Sequence, residues 1–525
     1  MVQYKFYASK LFVLLWIALS ITPFLGLFTT FNLSELGGIF NRGHLLILLK
    51  SILLSASAAI LAGVVGTLLA FFVAYVQRTR VQLTILLFSL PLFIPSYIHG
   101  IGWGRLVQGN SFLTGLLGLD PAGIVNGWVL SAWVLAMSYF PIVFLIVVLF
   151  CFKWSQQYQD AVLLHAPSKT AMLQQLRFIR QPLLISIIIV FFLSFADFGV
   201  ADFFQIRVYS TEIFIQMSAF YDLPKAIWLS LPVIFLGMML LYLIMRMSRH
   251  VSLASLMSFP SMTLKLDSQS TRYLWLVVIL FMTVLLLPIM NLIHLAATVD
   301  NFMNAARIAA MDMLAGASLA GLVALISVIT AFLLGWIHQR SITRLSATLR
   351  KFLYIWLLFP GGLLGLGLIQ FWNQEGVSGW LYQAGMILGL GLVLRWLIVA
   401  FEIFSIGWKS IPVVQGQAVF VSGGNKWNAF IDVVLPQQWQ HIIFAFLLTF
   451  ILVYNEIAML VLLSPPGFSS MPLRIFSAVH YGSDALLAAM CILQLGFLLM
   501  VFGGISWVSR MILYRFNVRV LHAGR

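Results

Sequence analysis

Among the ionisable side chains inside long apolar runs, Asp197, Asp202, Asp312, Arg395, Glu402 and Glu456 are the ones to explain. On insertion scales such a charge costs about 2.5–3.5 kcal/mol at the centre of a hydrocarbon layer, so each needs a partner or a function. Asp197, Asp202 and Glu456 either line a path through the layer or bond to neighbouring helices. Arg395 and Glu402 lie seven residues apart on one helical face, about 10 Å along the axis, so each is expected to pair with another helix rather than with the other. The nine histidines include no paired His/Glu motif on one helix, and His99, His165 and His480 stand apart; no metal cage is expected. Cys151 and Cys491, the two cysteines, read as small apolar fillers rather than a disulfide or thiolate site. No Gly-x-x-x-x-Gly-Lys-Ser/Thr phosphate loop occurs and no lysine follows a glycine, so ATP hydrolysis is not expected of this chain. With no nucleophile–base pairing at a membrane face, an enzyme is disfavoured.

The elements that must position these groups are helices in a bilayer. Of 525 residues, 62% are hydrophobic and 9% charged, with mean hydropathy +1.03, against about 25% charged in soluble domains. Twelve apolar runs are long enough to cross about 30 Å of hydrocarbon. They lie near 10–30, 46–76, 83–103, 123–151, 183–204, 226–246, 272–298, 309–337, 352–372, 381–404, 441–464 and 485–509. An even number puts both ends on one side. With the N-terminus inside, 22 Lys and Arg fall in cytoplasmic segments, 7 on the other side and Arg395 within a run, as positive-inside insertion requires. The net charge of +15 then reflects topology and anionic lipid and calls for no nucleic-acid partner. The first run follows Lys5 and Lys10, and no small-x-small cleavage site comes after Phe31; it reads as a retained anchor.

The runs repeat. Ala70-Phe71 and Gln77-Arg78 answer Ala331-Phe332 and Gln339-Arg340; Pro95, Gly100 and Gly102 answer Pro360, Gly365 and Gly367. Pro182 answers Pro436, Asp197 answers Glu456, Ile213-Phe214 answers Ile475-Phe476, and Tyr221 answers Tyr481, all at offsets between 254 and 265. The expected organisation is a first half at 1–246, a cytoplasmic linker at 247–271 and a second half at 272–525. Six spans per half make the copies parallel, about an axis along the membrane normal.

Two long cytoplasmic loops, 152–182 and 405–440, occupy equivalent places. The second carries Gln417-Ala418-Val419, Gly423 and Val434-Leu435-Pro436; the first carries Asp160-Ala161-Val162, Ala166-Pro167 and Pro182. A short helix, a small-residue turn and a second helix form a rigid lever. Glycine at the turn permits positive φ, and Pro436 restricts helix entry into the next span. This resembles the permease signature of bacterial ABC importers, Glu-Ala-Ala, then Gly, then Pro about thirteen beyond, in the loop that docks on the ATPase subunit. Ala418, Gly423 and Pro436 keep the family spacing. Gln417 and Asp160 replace Glu, Ala166 replaces Gly, and three extra residues precede Pro182, so the first loop is the more divergent.

Further segments are similar to the ferric-iron-type permeases, fused twelve-span subunits of this family. They are Pro91-Leu92-Phe93-Ile94-Pro95 with Gly100-Ile101-Gly102-Trp103, Phe195-Ala196-Asp197-Phe198-Gly199, and Ser464-Pro465-Pro466-Gly467-Phe468 followed by Arg474-Ile475-Phe476 and His480-Tyr481-Gly482. Arg395 and Glu402 also match a family pattern just before the coupling loop. The resemblance implies an all-α, type I ABC permease-like fold in the bacterial inner membrane, both termini cytoplasmic. It implies an ABC ATPase subunit in two copies, a periplasmic substrate-binding protein, no cofactor on this chain, and ferric iron as cargo. Thiamine, aminoethylphosphonate and polyamine-like solutes are the alternative cargoes, and a proton-coupled secondary transporter is the alternative class. Pro91, Pro95 and Pro360 are expected to break helices and turn freed carbonyls toward a cavity, so Pro95, Asp197, Asp202, Pro360 and Glu456 are the path candidates.

Overall fold

The computed structural model describes residues 2–29, 41–75, 81–107, 126–152, 168–248, 268–297, 299–340 and 344–523, and the regular elements among them are helices. Among the described residues nine helices are long and apolar enough to cross a membrane, eleven if each of two sharply bent pairs counts as one span. The chain is therefore a multi-pass membrane protein, in which helices alone satisfy their backbone groups. The seventh expected run, 272–298, lies in helix Ser268–Ala296, whose apolar stretch among the described residues, Phe281–Ala296, is too short to count among the nine.

Four expected runs are interrupted. The third bends by 83° between Leu83–Phe93 and Ser96–Val107, and the ninth by 113° between Leu345–Leu358 and Gly361–Trp372. Proline is the cause in each: Pro91 opens a 3-10 turn, while the Pro95 and Pro360 carbonyls start the helices that follow. The fifth run, 183–204, stops at Ala196 and resumes as Gly199–Phe203; the eleventh, 441–464, stops at Tyr454 and resumes as Ala458–Leu463. These breaks carry Asp197 and Glu456.

The helices form two compact units, one of residues 1–31, 305–480 and 493–525, the other of 32–304 and 481–492. The boundaries differ from those of the sequence repeat, because each half's first helix packs in the unit built mainly from the other half. In the first unit helix Val2–Thr29 lies on Gly361–Trp372, and a Cβ on Gly367 would sit 2.3 Å from the Pro23 carbonyl oxygen. In the second unit helix Ser268–Ala296 lies on Ser96–Val107, and a Cβ on Gly102 would sit 2.8 Å from Pro288 Cβ. Glycine here lets the backbones approach, as small residues do between membrane helices.

The second unit also pairs helices Arg42–Tyr75 and Gly127–Cys151 closely, Gly66 lying under Phe140 and Val143. Buried rings fill that interface, with Phe88 edge-on to Phe144 and Phe140 edge-on to Phe281.

Candidate functional site

The second-half loop is a helix-turn-helix whose second arm runs without a gap into the apolar span Lys426–Tyr454. Helix Met386–Lys409 ends, Pro412 caps helix Val413–Val421, and Gln417 and Ala418 lie exposed on it. Gly423 turns the chain at φ +83°, a conformation that suits glycine. Its neighbour Gly424 passes so near Val419 that a Cβ would lie 2.6 Å from Val419 Cγ1. Asn425 then caps helix Lys426–Ala429: its Oδ1 accepts from the Trp427 and Asn428 amides at 2.9 and 3.0 Å, and the Asn425 amide donates to Asn428 Oδ1 at 3.0 Å. Pro436 is the second residue of helix Leu435–Tyr454 and directly follows the π-turn Phe430–Val434, so its missing N–H falls where the helix ladder is already irregular. The lever presents apolar side chains outward: Val414, Phe420, Val421 (89% exposed) and Trp427 (66%).

In the first-half loop, Asp160, Ala161, Ala166 and Pro167 lie outside the described residues, while Pro182 is buried within helix Ser168–Ala196.

Each equivalent carboxylate sits where a broken span meets the break of the fifth span of its half. Asp197 Oδ2 accepts from Ser96 Oγ at 2.6 Å and from the Tyr139 hydroxyl at 2.9 Å, and its Oδ1 accepts from the Val200 amide at 3.0 Å. Ser96 directly follows Pro95, so one carboxylate joins the helix after the bend, the fourth span and its own break. At the other place Glu456 Oε2 lies 3.1 Å from Arg395 Nε, and an Arg395 terminal nitrogen donates to the Phe359 carbonyl at 2.8 Å. Both side chains are buried, 13% and 6% exposed. Gly361, directly after Pro360, leaves room for them: a Cβ there would lie 2.9 Å from both Arg395 and Glu456.

Glu402 pairs with Arg350, not Arg395, through two hydrogen bonds of 2.6 and 2.8 Å. Asp312 accepts from Arg474 Nε at 2.6 Å. Asp202 closes the short helix Gly199–Phe203, its carbonyl accepting from the Gln205 amide at 3.0 Å.

Sequence reasoning did not single out Ser96, Tyr139 or Arg350 as partners. The available signal was positional: Ser96 follows Pro95 as Gly361 follows Pro360, and Tyr139 precedes Arg395 by 256 residues, within the repeat offset. The arrangement holds helix breaks in place. Among the described residues no group of three or more His, Cys, Asp or Glu is placed to hold a metal ion. Compared with protein-family models and with curated proteins, the chain matched none.

Proposed function

We propose that this chain is the fused membrane subunit of an ATP-driven importer, with a type I ABC permease-like fold, that couples to a separate ATPase subunit. The observation that carries this reading is the loop at 410–436. It is a capped, glycine-turned lever that leads into the span Lys426–Tyr454 and whose exposed residues include Val421 and Trp427. Large apolar side chains held outward by a rigid turn fit a hydrophobic cleft on a partner better than they fit water. Two further features support the reading: the sequence contains no phosphate loop, so energy must come from another subunit, and two broken spans supply irregular backbone of the kind that lines cavities. The cargo we propose, ferric iron delivered by a periplasmic protein that supplies its ligands, rests on the resemblance of the segments around Pro95, Asp197 and Ser464.

The test is Gly423→Asp, which places a charge and a side chain at a φ of +83°. With the ATPase subunit and binding protein present, uptake should be abolished while the amount of protein in the membrane is unchanged. Uptake at the level of the unsubstituted protein would refute the lever.

A further inference from the structure

Helix Leu435–Tyr454 is regular between two irregular ends. At its start the Leu435 amide donates to the Phe430 carbonyl, five residues back rather than four, so Phe430–Val434 form a π-turn with one residue more than an α-turn holds. At its far end the chain leaves the helix at Asn455 and does not resume until Ala458. Close to the π-turn, Gln438 and His441 press on Gly407 of the preceding span, where a Cβ would lie 2.4 Å from Gln438 Oε1 and 2.9 Å from His441 Cγ. Gln438 is wholly buried, yet among the described residues neither its oxygen nor its nitrogen has a hydrogen-bond partner. His441, beside it, has the Gln437 backbone as its hydrogen-bonding neighbour. Buried polar groups are nearly always satisfied, so an unsatisfied buried amide beside a π-turn needs an explanation. The first half supplies the contrast: counted from Pro182 as from Pro436, the equivalent residues are Leu184 and Ile187, on a helix that runs without a π-turn.

We propose that helix Leu435–Tyr454 is a transmission rod with two registers, and that the described register is the one in which the π-turn stores the extra residue. Relaxing the π-turn to an α-turn rotates the rod by about 100° and advances it by about 1.5 Å. That motion carries Gln438 and His441 off Gly407 and turns the far end, where Glu456 meets Arg395. A displacement of the exposed lever is thereby delivered to the buried ion pair. The use of this motion in a transport cycle rests on the importer reading; the two registers do not.

Amide hydrogen exchange of the purified full chain tests the rod. Replacing both groups by their first-half counterparts, Gln438→Leu with His441→Ile, removes the reason to leave the described register. Exchange at residues 431–441 should then slow by about tenfold. Gly407→Ala crowds Gln438 and should speed exchange at the same residues, so the proposal stays open to refutation should the double variant fail to fold. Equal exchange in all three proteins, or slowing by Gly407→Ala, overturns the two registers. Slowed exchange in the double variant with undiminished uptake overturns the transmission role. If the unsubstituted chain with its ATPase and binding protein imports nothing, the importer reading fails while the exchange result still decides the registers.

Discussion

Around Pro95 a carboxylate is met by a hydroxyl, a phenol and a backbone amide, whereas around Pro360 the carboxylate at the equivalent place is met by a guanidinium. The substitution of neutral by ionic chemistry extends beyond this pair. Arg350 and Glu402 pair in the second half where repeat spacing puts Ile85 and Ile146, which lie against the apolar core of the second unit. The two bends that the sequence repeat sets side by side are thus fastened by different chemistry. The two fastenings differ in how they fail. Removing one donor among several from Asp197 leaves a carboxylate with partners, while removing Arg395 leaves Glu456 charged and buried among apolar helices.

Arg395→Met should therefore give the largest loss, about 3–5 kcal/mol, because a buried charge is left uncompensated. Denaturant unfolding in detergent measures it, and adding Glu456→Gln should recover a substantial part. A double variant no more stable than Arg395→Met would show that the pair does not act as an ion pair. Next in size is Gly361→Ala, whose added methyl meets Arg395 and Glu456 at 2.9 Å; about 1–3 kcal/mol is expected from overpacking. At the equivalent place Ser96→Ala removes a hydrogen bond without crowding, and a loss as large as that of Gly361→Ala would erase the distinction. Tyr139→Phe should cost about 1 kcal/mol in the same assay, one neutral donor among several. Smallest is Arg350→Gln, at about 1 kcal/mol or less, because the Arg350 and Glu402 side chains are 36% and 29% exposed and solvent screens them. A loss matching that of Arg395→Met would contradict the ranking by burial.

The spans, the Pro95 and Pro360 breaks and the turn at Gly423 were legible in the sequence because each has a local cause: an apolar run, a missing N–H, a small residue between two helical stretches. The partners were not, since Ser96, Tyr139 and Asp197 come together over separations of 101 and 58 residues, and Arg474 reaches Asp312 across 162. Periodicity carries no information at that range. The exchange of first helices between units was hidden for the same reason, although Pro23 and Pro288 stand 265 residues apart, the offset of Pro95 and Pro360. The amphipathic helices Tyr209–Ser218 and Met471–Tyr481 were also missed, because polar residues interrupt them and they fall short of a crossing.

The central claim is that energy enters this chain through the lever at 410–436. Its most direct test is ATP hydrolysis by the purified chain in lipid vesicles, alone and with the nucleotide-binding subunit, comparing the unsubstituted protein with Gly423→Asp. No hydrolysis by the chain alone, hydrolysis with the subunit that rises when loaded binding protein is added, and loss of that rise in Gly423→Asp are the predicted results. Hydrolysis by the isolated chain, or an undiminished rise in Gly423→Asp, would contradict it.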